Sequence, residues 1–135
     1  MSDVRQAELM WADDQASRAL GMELLALEHD HARVRMTITS AMVNGHANAH
    51  GGYIFILPDS AFALAYNSGG RAVAAGADII FVAAARLGDV LVADATQRTA
   101  YSRNGITDVT VTRESDGAVI AEVRGRSRTL ATKDN

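Results

Sequence analysis

The chain has 135 residues, 48% hydrophobic and 21% charged, with a net charge of −3 and no cysteine. That length suits a single domain, residues 1–135, with one core. Lack of cysteine excludes disulfides, thiolate nucleophiles and cysteine-held metals, and the mild negative charge gives no electrostatic reason to expect nucleic acid as a partner. No run approaches roughly 18 uncharged apolar residues, so no membrane span is expected. The opening Met1-Ser2-Asp3-Val4-Arg5 lacks the apolar core of a signal peptide, so the expected compartment is the cytoplasm.

Asp3 to Leu20 reads as one helix. Val4, Ala7, Leu9, Trp11 and Ala12 recur at loose helical spacing, Ser2 or Asp3 can cap it, and Gly21 ends it. Met22–Glu28 and His31–Thr39 read as a β-hairpin turning at His29-Asp30. Its second arm alternates Val34, Met36 and Ile38 against Arg33, Arg35 and Thr37. Ser40 to His50 has no period and reads as a loop. It holds His46 and His50 at i, i+4, but no Glu follows His46, so no zinc-protease pattern forms and no metal is expected.

Gly51-Gly52 then opens a nearly unbroken apolar run from Tyr53 to Tyr66, too long for a typical strand. It reads as a helix that is apolar all round and buried on most sides, closed by Asn67-Ser68-Gly69-Gly70. Pro58 sits inside it and cannot donate to Ile54, so an opened turn or kink is expected near Ile54–Phe55, either aiming Asp59 or only bending the helix into the sheet. The period then changes to two. Val73–Ala83, Asp89–Ala100, Gly105–Arg113 and Val119–Thr129 read as four strands. In the last, Val119, Ala121, Val123, Gly125 and Ser127 share one face, and Ile120, Glu122, Arg124, Arg126 and Arg128 the other. The economical packing is α+β: an antiparallel sheet wrapped around the central apolar helix, plus the N-terminal helix.

This order resembles the hotdog fold, and more closely its PaaI-type acyl-CoA thioesterases, the phenylacetyl-CoA thioesterase group. The residues that carry the resemblance are Asn44-Gly45-His46, His50-Gly51-Gly52, Phe55, Leu57, Asp59, Ala61-Phe62-Ala63 and Asn67-Ser68. Downstream, Phe81, Gly88-Asp89-x-Leu91 and Arg124-Gly125-Arg126-Ser127 also fit. The resemblance implies a homodimer, often a homotetramer built as a dimer of dimers, that hydrolyses an acyl-CoA thioester without metal or other cofactor. It places the catalytic carboxylate on Asp59, the oxyanion-hole glycine on Gly51 after His50, and a polar group near the thioester carbonyl on Asn44. Two positions depart from the pattern. Pro58 precedes the acid, and Ala63 and Ala74-Ala75 stand where relatives carry a water-holding Ser or Thr.

The residues support that chemistry on physical grounds. A helix N-terminus offers free N–H groups and partial positive charge, and Gly51-Gly52 lets a ligand approach them closely. Asp59 is the only acid between His31 and Asp78. Burial in an apolar helix would raise its pKa and make it a better base. It can activate a water or attack the carbonyl itself; both routes stay open. Eight helical residues span about 12 Å, too far for Gly51 and Asp59 of one chain to act on one carbonyl. Two chains with antiparallel helices about a two-fold axis would bring them together.

Asn44 either polarises the carbonyl or caps the loop, and His50 is either catalytic or fixes the turn by hydrogen bonding. Tyr53, Phe62 or Tyr66 would line an acyl pocket between subunits. Arg124, Arg126 and Arg128 form either a phosphate-binding stripe for coenzyme A or a solvated strand face. The expected activity is hydrolysis of phenylacetyl-CoA or a ring-hydroxylated relative, as in phenylacetic acid degradation. The alternatives are a thioesterase for another aromatic or medium-chain acyl-CoA, and a non-catalytic acyl-CoA-binding protein.

Overall fold

The structure, a computed structural model, describes residues 4–130. Two short helices, α1 (Arg5–Ala12) and α2 (Gln15–Ala19), precede the hairpin β1 (Glu23–Glu28) and β2 (His31–Thr37). The central helix α3 (Gly51–Tyr66) follows, then β3 (Ala72–Phe81), β4 (Val90–Tyr101), β5 (Asn104–Arg113) and β6 (Val119–Thr129). The six strands form one sheet in the order β1-β2-β4-β5-β6-β3, with every neighbouring pair antiparallel. Strand ends fall within two residues of the sequence reading.

The alternation of β2 survives intact. Val34, Met36 and Ile38 are buried against α3, and their neighbours face outward. The core joins these to Leu57, Phe62 and Leu64 of α3, Leu91 of β4, Val109 and Val111 of β5, and Ile120 of β6. Among the described residues no helix is long and apolar enough to cross a membrane.

Three expectations need correction. The N-terminal helix is two helices, because Asp14 leaves the helical conformation and accepts the Ser17 N–H at 2.9 Å as an N-cap. The proposed caps Ser2 and Asp3 lie outside the described residues; α1 itself begins at Arg5, after Val4, with no side-chain cap. In β6 the strict alternation fails at its start: Val111 pairs with Ala121 and Thr112 with Val119, so Ile120 is the extra residue of a bulge and turns into the core. Finally, α3 runs unbroken through Pro58, with no turn opened at Ile54–Phe55. Ile54, Leu57, Pro58, Ala61 and Phe62 are buried, and their packing holds the helix through the missing bond.

Phe62 is the core contact that the sequence reading placed in the acyl pocket. It is 1% exposed and lies beneath Gly125 of β6. A Cβ at Gly125 would stand 2.5 Å from Phe62 Cζ, so only glycine lets the strand lie on the ring. Gly125→Ala should therefore lower unfolding free energy by about 1–3 kcal/mol through overpacking, read by urea denaturation. Adding Phe62→Leu should recover part of the loss.

Candidate active site

The loop before α3 locks itself. Asn44 Oδ1 accepts the backbone N–H groups of His46 at 2.9 Å and Asn48 at 3.2 Å. Val43 bridges to Ala49, and the His50 N–H donates to the Met42 carbonyl at 2.8 Å. Asn44 thus ties the loop, and Nδ2 is the only donor of its side chain. His50 is the N-cap residue, and it works through its backbone. Its carbonyl accepts from Tyr53 N–H at 2.9 Å and Ile54 N–H at 3.1 Å, while its ring makes no capping bond.

That leaves the N–H groups of Gly51 and Gly52 without an acceptor among the described residues. They sit at the positive end of a 16-residue helix. In front of them lies a groove of about 420 Å³ lined by Asn48, Gly51, Ile54, Phe81 and Val82. A Cβ at Gly51 would come within 3.1 Å of the Phe81 ring, so glycine keeps this approach open. Asn48, which the sequence reading passed over, buries its Oδ1 here with no partner among the described residues.

Asp59 lies eight residues on, about 12 Å along the axis, on the stripe of α3 that the sheet leaves uncovered. Gly52, Tyr53 and Asp59 are exposed and Phe55, Ile56, Ala63 and Tyr66 half-buried. Asp59 is exposed in the isolated protomer and has no ion pair among the described residues. Its surroundings still desolvate the carboxyl enough to raise its pKa, with the Asp14 charge as the second cause. Tyr66, two turns further along the same face, is pushed up to about 12 by burial and by the Asp59 charge, while the Ala74 N–H bonds its oxygen. The Phe62 and Tyr66 rings meet edge to face at 4.6 Å.

The two features therefore stand apart within one chain, as the spacing predicts. The Gly51 groove opens toward Phe81, at the end of β3, and Asp59 faces the side where Tyr66 meets Ala74, at its start. A second groove, of about 550 Å³, runs between α1 and β3 past Leu9, Met10, Tyr66 and Val73.

The arginine stripe is mostly spoken for. Arg124 binds both oxygens of Asp108, at 2.8 and 2.9 Å, and Arg126 pairs with Asp78 at 3.2 Å. These pairs are exposed and tie neighbouring strands on the outer face of the sheet, away from α3. Only Arg128 of the three carries no ion pair among the described residues.

The chain matches the Thioesterase superfamily over residues 46–120. It is 36% identical over 127 residues to the acyl-coenzyme A thioesterase PaaI of Escherichia coli, covering 93% of this chain and 90% of that protein. The chain belongs to the thioesterase superfamily. The structure of the E. coli PaaI protein, from the phenylacetic acid degradation operon, superposes with a TM-score of 0.90 at 35% identity, over 94% of this chain and 92% of that one. A mutant of the phenylacetic acid degradation protein PaaI from Thermus thermophilus gives 0.83 at 32% identity, over 87% of this chain and 100% of that one. A Streptococcus mutans protein bound to acetyl CoA gives 0.77 at 27%, over 82% and 89%. The fold is the hotdog fold, and the protein is a thioester hydrolase of the PaaI type.

Sequence reasoning missed the surroundings of Asp59 on the N-terminal side. Asp14 and Ser17 sit at cap spacing, and Ser60 is a lone hydroxyl in an apolar helix; both were visible signals. Because burial and Asp14 both disfavour its charge, ionised Asp59 works against folding. With the folded pKa above the unfolded one, the stability linked to this group is complete below the ordinary value of 3.8 and lost as pH rises through the folded pKa. Asp59→Asn should accordingly melt higher than wild type at pH 7, with the gap closing below pH 3.8; calorimetry across that range reads it.

Proposed function

We propose that the protein hydrolyses the thioester of an aryl-acetyl-coenzyme A, phenylacetyl-CoA or a ring-hydroxylated relative, releasing the acid and coenzyme A. The observation that carries the reading is the pairing of two free N–H groups at Gly51 and Gly52 with a lone, desolvated carboxylate at Asp59 on the same apolar helix. The N–H groups stabilise the oxyanion of the tetrahedral intermediate. Asp59 takes a proton from the attacking water, and Asn44 Nδ2 assists at the carbonyl. The relatives' names support coenzyme A as the carrier and phenylacetate as the acyl class. The groove past Leu9, Met10, Tyr66 and Val73 offers these side chains to an aryl group, with the polar Gln6, Asp13, Asn67 and Arg71 also in its lining. Of the three β6 arginines, Arg128 is the one left to a phosphate.

The site is completed by a second copy. β3 is an edge strand whose Val73, Ile80 and Phe81 are 44%, 67% and 52% exposed, an apolar edge that a stable monomer would not leave open. Antiparallel pairing of two β3 edges about a two-fold axis lays the Phe81 end of one on the Ala72 end of the other. That brings Gly51 of one copy toward Asp59 of its partner and gives two sites per dimer.

Thiol release from a panel of aryl- and alkyl-CoA thioesters tests the reaction. Wild type should turn over the aryl-acetyl members fastest, and Asp59→Asn should bind them with turnover reduced by several orders of magnitude; binding without thiol release from wild type would sink the proposal. Ile80→Lys should give a monomer in sedimentation with turnover down by at least about 10²-fold, the loss typical of removing an oxyanion donor. A fully active monomer would rule out the shared site.

A further inference from the structure

The N-terminal segment reaches α3 at Ser60, the residue after Asp59, through a short chain of hydrogen bonds. Ser17 Oγ donates to Asp14 Oδ2 at 2.6 Å, and Ser17 N–H donates to Asp14 Oδ1 at 2.9 Å. With its own proton committed to Asp14, Ser17 Oγ accepts from Ser60 Oγ at 2.7 Å. Ser17 is 2% exposed and Ser60 8%, and Ser60 is the residue directly after Asp59. The chain of bonds has one direction: Ser60 to Ser17 to Asp14. It ends on a carboxylate whose charge acts on Asp59. Buried hydroxyls in a cap usually serve only the helix they start; here they strap two helices together beside a second acid.

We infer that Asp14 is a positioning residue for Asp59: the Ser17–Ser60 strap, anchored on the residue that follows Asp59, fixes a second carboxylate against α3. The inference rests on Asp59 being the base of the proposed hydrolysis. The other groups around Asp59 leave this role to Asp14. From α3 the titratable neighbour is Tyr66, neutral across the working range. β3 presents Ala74, Ala75 and Gly76 along this side, β2, β4 and β5 turn uncharged residues to the helix, and the groove beside α1 adds Asp13 and Arg71 at its rim.

Asp14→Asn is the test: its Oδ1 still accepts the Ser17 N–H and caps α2, its Nδ2 donates to Ser17 Oγ where the carboxylate accepted, so that Ser17 now donates to Ser60, and the charge is gone. The acidic limb of the kcat/KM–pH profile should move to lower pH by roughly half a unit or more, about a threefold change in proton affinity. kcat on the plateau should fall severalfold with KM little changed, and Asp14→Glu should return the limb toward wild type. An unmoved limb in an active, folded Asp14→Asn enzyme overturns the inference and leaves the thioesterase reading standing. The ¹³C carboxyl titration of Asp59, assigned with Asp59→Asn, separates the two claims. A lower midpoint in Asp14→Asn supports the coupling even if no thioester turns over, and an equal midpoint refutes it.

Discussion

α3 is apolar nearly all round, and one curved sheet covers only part of it. That constraint organises the rest of the molecule. The sheet takes Ile54, Leu57, Ala61, Phe62, Leu64 and Ala65, and the α1–α2 segment takes part of the opposite side through Ser17 and Ser60. What remains is a stripe running from Gly52 through Phe55, Ile56 and Asp59 to Ala63 and Tyr66. The stripe adjoins the open edge of β3, and both call for the same kind of cover. The acid thus stands at the centre of the stripe that the rest of the chain leaves most open.

The acid itself is held against its own preference. A carboxylate on this helix loses hydration, gains no cation and faces Asp14. Asp78, Asp94 and Asp108, on the outer face of the sheet, each hold an arginine. The contrast between these ion-paired aspartates and Asp59 marks it as the candidate for a functional carboxylate on physical grounds.

Much of this was legible in the residues. The two-residue period of β2 and β5, the apolar run of α3 and the turn glycines placed the elements, because burial on one face leaves an alternating pattern. The Gly51–Asp59 spacing, read as a rigid distance, already set the two features about 12 Å apart along the helix. Other features depended on contacts that no local pattern records. Phe62 looked like a pocket aromatic until Gly125 was seen lying on its ring. The arginines of β6 look like a basic stripe along one strand, but Asp78 and Asp108 stand opposite on β3 and β5. The bulge at Ile120 and the break at Asp14 each turn on a single residue choosing a different partner.

Pro58 is where local rule and tertiary structure disagree most. An interior proline costs a helix on the order of 3 kcal/mol, similar to the gain from fully burying one or two large apolar side chains. α3 buries Ile54 and Leu57 before the proline and Phe62 and Leu64 after it, so packing on both sides can hold the helix continuous. The proline is itself buried, and its ring fixes φ at the residue before Asp59. Proline also restricts the unfolded chain here, so less backbone freedom is lost on folding at the residue before Asp59. Together with the Ser17–Ser60 strap on the residue after it, Asp59 is bracketed on both sides by groups whose conformations are already settled, leaving side-chain rotation as its main remaining freedom.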